Sequence, residues 1–146
     1  MPASSYPLDD VLPHRAPMQL ISEIVSVDLA AKKLTAAVDV TAAWCENWAA
    51  IEFMAQTAAA LAGIGDRANG WQGAPRPGFL LGTRRLDLAI DRFEVGRRYL
   101  VTAENTFGDE EAASFTCEIK DGEKTVASAI LNAYRPADAA SFVAEH

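Results

Sequence analysis

Between Trp48 and Asp66 the chain reads WAAIEFMAQTAAALAGIGD, with alanine or a larger apolar residue at most positions. This run predicts one long helix. It has no polar face of ordinary width, so for much of its length water cannot lie against any side of it. Whatever the rest of the chain does, it must wrap this helix. That demand constrains the fold more than any other feature of the 146 residues.

The remaining segments read as strands. Gln19–Val27 and Leu34–Val40 are β-rich and partly alternating, and Asp28-Leu-Ala-Ala-Lys-Lys33 between them predicts a hairpin. Leu8–Leu12 reads as one short turn ended by Pro13. After the helix, residues 68–78 (ANGWQGAPRPG) are dense in breakers and predict a loop, and Phe79–Ile90 a strand. Tyr99–Phe107, Ala113–Lys120 and Thr125–Tyr134 form a predicted meander, turning at Gly108-Asp-Glu-Glu111 and at Asp121-Gly122 and stopped by Pro136. Asp-Gly suits a two-residue hairpin whose central positions both take φ > 0. The order β-β-α-β-β-β-β predicts an α+β single domain over residues 1–146, an antiparallel sheet of about six strands curled around one central helix. Six strands leave one helix face uncovered, and a second subunit is expected to cover it in a dimer.

Composition narrows the function. Half of the residues are hydrophobic and 23% are charged, which places the chain among globular proteins rather than disordered ones. The formal net charge of −7 argues against nucleic-acid binding, which needs clustered Lys and Arg. No apolar run has the length of a membrane span, the start MPASSYPLDD lacks a signal-peptide pattern, and Cys45 and Cys117 make neither a disulfide framework nor a metal motif. A reducing cytoplasm and no metal are expected. Arginine is uneven, with the doublets Arg84-Arg85 and Arg97-Arg98 and with Arg67 and Arg76 nearby in sequence. These residues are either an anion-binding cluster or scattered surface charge.

At 100° per residue, Glu52, Gln56, Ala59 and Gly63 share one narrow helix stripe, while Phe53, Met54, Leu61 and Ile64 lie opposite. The first stripe is polar and then tiny, so a thin acyl chain or a neighbouring helix fits against it. A carboxylate in a first turn interacts well with the helix dipole. The same carboxyl in apolar company, with Gln56 one turn on to orient it, also suits a general acid. Free amides at the helix start are placed to hold a thioester oxygen.

Two stretches carry a family resemblance. Leu12-Pro-His-Arg-Ala-Pro-Met18 is similar to the LPHRYPF opening of the 3-hydroxyacyl-ACP dehydratases of the hotdog superfamily, and Ile51-Glu-Phe-Met-Ala-Gln56 is similar to their helix motif EAMAQ. Gly78-Phe-Leu-Leu-Gly-Thr-Arg-Arg85 and Leu131-Asn-Ala-Tyr-Arg-Pro136 look more like one branch, the dehydratases of aryl-polyene and related polyketide clusters. The resemblance implies a dimeric hotdog fold and loss of water from a 3-hydroxyacyl thioester to give a trans-2-enoyl thioester. It also implies that the substrate arrives on the phosphopantetheine arm of an acyl carrier protein, with no resident cofactor. In that family a His takes the α-proton and an acid from the other subunit's helix protonates the leaving hydroxyl. Glu52 matches the acid and Gln56 the motif's Gln. The family's His loop before the helix is here Thr41-Ala-Ala-Trp-Cys-Glu-Asn47, without a His.

His14 and the terminal His146 are the only imidazoles, which leaves His14 as the second catalytic candidate or as an anchor of the N-terminal segment. Trp48, with Trp44, flanks the helix start and either walls a substrate tunnel or packs. Arg84 and Arg85 are candidates for the acidic carrier or the pantetheine phosphate, or else for pairing with Asp87 or Asp91. Cys45 precedes the helix with no His beside it in sequence, which argues against a nucleophile. Two alternatives share the fold: a thioesterase using the helix carboxylate to activate water, and a non-catalytic acyl-carrier-binding subunit that completes a partner dehydratase as a heterodimer.

Overall fold

A computed structural model describes residues 7–15, 17–76, 78–108 and 112–135; Pro136, His146 and the 109–111 part of the expected turn lie outside them. The chain opens with a short helix, α1 (Leu8–Val11), then strands β1 (Glu23–Asp28) and β2 (Lys33–Asp39). A 3-10 turn at Ala42–Trp44 leads into α2 (Ala49–Ala68), followed by β3 (Phe79–Leu88), β4 (Arg98–Gly108), β5 (Ala112–Asp121) and β6 (Lys124–Tyr134). The six strands form one sheet in the order β1-β2-β4-β5-β6-β3, antiparallel at every pairing. This is the expected hotdog arrangement. Among the described residues no helix is long and apolar enough to cross a membrane.

The bulky stripe of α2 meets the concave face of the sheet. Phe53, Met54 and Ile64 are fully buried, together with Leu34 and Val38 of β2, Val101 of β4 and Ile119 of β5. Each such side chain contributes about 1.5–3 kcal/mol by leaving water. Phe53 stacks edge-on against Phe93 with centroids 5.2 Å apart, and Phe93 does the same against Tyr99 at 5.0 Å. Alternation on β5 puts Phe115, Cys117 and Ile119 inside, and burial pushes the Cys117 thiol up to about 12.

Three local expectations change. The strand predicted from Gln19 begins only at Glu23, because Gln56 of α2 takes the backbone amide of Leu20 and the carbonyl of Met18. The β5–β6 turn is centred on Gly122-Glu123 rather than Asp121-Gly122: Asp121 pairs with Lys124, and only Gly122 has positive φ, at 61°. A two-residue loop whose first centre is glycine needs no second left-handed residue. The open stripe of α2 is also rotated. Gly63 is buried under α1, and a Cβ there would lie 2.1 Å from the Val11 carbonyl oxygen. The half-exposed stripe runs instead through Glu52, Ala55, Ala59 and Ala62.

Candidate active site

Glu52 sits in the first turn of α2 and Gln56 one turn on, so their side chains meet as i, i+4 neighbours. Gln56 is fully buried and uses its amide three ways. Its Nε2 donates to Glu52 Oε1 at 3.0 Å and to the Met18 carbonyl at 2.7 Å, and its Oε1 accepts from Leu20 N–H at 2.8 Å. One side chain thus orients the acid and pins the segment that leads from α1 to β1.

That segment carries His14. Arg15 wraps it by donating to the carbonyls of Leu12, His14 and Asp9, and Gln19 Nε2 donates to the His14 carbonyl at 3.3 Å. His14 Nε2 lies 3.8 Å from Glu52 Oε1, with 30% and 34% of the two side chains exposed. The distance is too long for a hydrogen bond and short enough for strong coupling. Burial lowers the pKa of His14, and the Glu52 charge offsets part of that shift. His14 Nδ1 is buried without a hydrogen-bond partner among the described residues, so a protonated ring would leave an unpaired N–H there. The neutral imidazole, a proton acceptor, is favoured.

Glu52 and His14 line one end of a cavity of about 740 Å³. Its wall along α2 is Ala55, Ala58, Ala59 and Ala62, and the stripe continues to Asp66 at the far end. Asp66 is buried and is held by Arg135 through two bonds of 2.5 and 2.9 Å, with Arg76 Nη1 3.6 Å away. Among the described residues no group of three His, Cys, Asp or Glu side chains is placed to hold a metal.

Of the residues singled out in the sequence, Glu52, His14, Gln56 and Ala59 come together at this end of α2, and Gln56 does so from behind the cavity wall. Gly63 faces α1. Trp48 is 55% exposed, packs edge-on against Trp44 at 5.8 Å and does not line the cavity. Arg84 and Arg85 stand exposed on β3, away from the cavity and without an ion pair to a described residue, Asp87 and Asp91 included. The arginines form no shared anion site: Arg67 donates to the Asp10 carbonyl, Arg97 pairs with Asp121, and Arg98 with Asp39 and Glu23. The first amides of α2 are not free either. Ala49, Ala50 and Ile51 N–H already donate to the carbonyls of Glu46, Asn47 and Trp48. The helix start therefore offers no ready oxyanion hole.

Sequence reasoning missed the far end of the cavity. A signal for Asp66 existed, since fourteen residues at 100° place it within 40° of Glu52 on the helix wheel. Arg76 read as one of several arginines that formed either an anion-binding cluster or scattered surface charge, and Arg135 only as a member of the motif Leu131-Asn-Ala-Tyr-Arg-Pro136.

The family model of ApeP-like proteins, described as ApeP dehydratase, matches residues 6–144. Among solved structures, the dehydratase heterocomplex ApeI:P from Xenorhabdus doucetiae is similar, with a TM-score of 0.85 at 25% identity over 97% of this chain and 98% of that one. The PaaI protein of the Escherichia coli phenylacetic acid degradation operon shares the fold, with a TM-score of 0.56 at 18% identity over 78% of each chain. A hypothetical thioesterase from Streptococcus pneumoniae, solved with coenzyme A, does so at 0.57 and 9% over 78% of this chain and 84% of that one. No curated protein sequence matches. With a family model covering nearly its whole length, this chain belongs to the ApeP-like dehydratases.

Proposed function

We propose that the protein removes water from 3-hydroxyacyl thioesters carried on the phosphopantetheine arm of an acyl carrier protein, giving trans-2-enoyl thioesters. The observation that carries this reading is the Glu52–His14 pair, 3.8 Å apart at one end of a long cavity. His14, neutral through burial, accepts the proton from C2. The electrons of that C–H bond form the C2=C3 double bond as the C3–O bond breaks, and Glu52, acting as general acid, gives a proton to the departing hydroxyl, which leaves as water. Transfer of the proton from His14 to Glu52 then restores the pair. Gln56 keeps Glu52 aimed throughout.

The assembly we propose is a dimer, with a related hotdog subunit as the partner. Support comes from the ApeI:P heterocomplex, to which this chain is similar over 97% of its length, and from β3. That strand is a sheet edge and exposes Leu80, Leu81 and Leu86, a combination that invites pairing with another chain. Arg84 and Arg85 on the same strand would then meet the partner or the acidic carrier.

Incubation with 3-hydroxyacyl carrier protein, alone and with the co-expressed partner, tests the reaction by mass. Loss of one water with the thioester intact is expected. Release of the free carrier thiol would make the protein a thioesterase, and no mass change in either mixture would overturn catalysis.

A further inference from the structure

Beside its cavity stripe, α2 carries a second one made of Gln56, Gly63 and Arg67, which fall within about 40° of one another on the helix wheel. All three hold the N-terminal segment. Gln56 holds it beyond His14, at Met18 and Leu20. Gly63 and Arg67 hold it before His14, through α1. The Val11 backbone lies so close over Gly63 that an added Cβ would clash with its carbonyl oxygen. One turn on, Arg67 reaches back to Asp10. Its Nε and Nη2 both donate to that carbonyl, at 3.0 and 2.8 Å, while Nη1 donates to the Trp71 carbonyl at 3.0 Å. The last carbonyls of a helix have no partner within it, and a guanidinium is suited to take one. His14 hangs between these two anchorages on a stiff span. Pro13 fixes its own φ and keeps Leu12 extended, and Arg15 ties the carbonyls of Asp9, Leu12 and His14 together. Such a span passes a shift of α1 on to the imidazole.

We infer that Gly63 and Arg67 are positioning residues for His14: acting through α1, they set where its imidazole stands relative to Glu52. Neither lines the cavity, so neither acts on a substrate directly. The absence of a side chain at Gly63 fixes how deep α1 sits, and the Arg67 fork fixes where it sits along α2. The catalytic consequence rests on the proposal that His14 and Glu52 are the reacting pair. The placement itself can be read without any reaction.

Titration of the His14 imidazole by NMR, its signal assigned with His14→Gln, tests the placement on the protein, together with its partner if the two purify as a complex. Glu52 is the charged side chain that faces the ring among the described residues, and burial outweighs it in holding the pKa below 6.5. Gly63→Ala should push α1 outward, admit water to the ring and move the titration up toward 6.5. Arg67→Leu should do the same to a lesser degree. Arg67→Lys, whose single ammonium can serve one carbonyl where the guanidinium serves two, should recover part of that shift. Gly65→Ala, on the same helix with open space around the added Cβ, controls for helix propensity and should leave the titration in place. In the dehydration assay kcat should fall about 10²-fold in Gly63→Ala and less in Arg67→Leu, with KM little changed. Should Gly63→Ala fail to fold, the two Arg67 variants decide. A titration unmoved in Arg67→Leu, with stability alone reduced, would overturn the assignment, as would a shift in Gly65→Ala equal to that in Gly63→Ala. A protein whose titration moves as expected but that dehydrates nothing sinks the reaction alone. One that dehydrates with the titration unmoved sinks the positioning role alone.

Discussion

Helix α2 carries two acids, on the same stripe and at opposite ends of one cavity, and they are held in opposite ways. Glu52 is about one-third exposed, takes one hydrogen bond from Gln56 and faces an imidazole 3.8 Å away. Asp66 is 7% exposed and is gripped by two bonds from Arg135. Two bonds from Arg135 fix the Asp66 side chain in place, whereas Glu52 lines the cavity beside His14 with a single bond from Gln56. In the proposed reaction, what separates the reacting acid from the structural one on this helix is the partner, not the acid.

The comparison can be broken at either end. The largest effect is expected from Glu52→Gln, which keeps the shape and the contact with Gln56 but removes the proton. Dehydration followed by mass should fall about 10²–10⁴-fold, with the thermal midpoint nearly unchanged. At the other end, Asp66→Ala leaves a buried guanidinium without its carboxylate and should cost about 3–5 kcal/mol in denaturant unfolding. If the two substitutions exchanged these signatures, the contrast drawn here would be wrong. Gln56→Ala comes next. It orphans the Leu20 amide and the Met18 carbonyl, so about 1–3 kcal/mol of stability should go, and activity should fall because the His14 segment and Glu52 lose their common anchor.

The smallest effect is in the pH response of His14, whose folded pKa lies below the ordinary 6.5 because of burial. As pH falls through 6.5 the unfolded chain takes up this proton before the folded one does. Stability should therefore decline with falling pH from 6.5 down to the folded value, and be insensitive to this group above 6.5. His14→Gln should flatten that slope in a series of denaturant midpoints. The acid limb of the rate profile should likewise sit below 6.5, since His14 must be neutral to accept the α-proton.

Local pattern made most of the fold legible. The apolar run from Ala49, the alternation through Phe115, Cys117 and Ile119, and the glycine at position 122 each act within a few residues of themselves. Apart from the one-residue shift of the β5–β6 turn, where the reading failed a distant residue had intervened. Gln19–Ser22 looks like strand, yet Gln56, more than thirty positions away, claims its backbone partners. The Glu52-Gln56-Ala59-Gly63 stripe looks open, yet Val11 closes over Gly63.

From its sequence alone the protein is committed to a single greasy helix inside an antiparallel sheet, to an acid one turn into that helix and to an amide that can aim it, because periodicity and turn chemistry are short-range. The meeting of His14 with Glu52, the closing of the Gly63 face and the capture of Asp66 by Arg135 were decided only in three dimensions. They join residues 38, 52 and 69 positions apart, and no local preference encodes which distant side chain arrives.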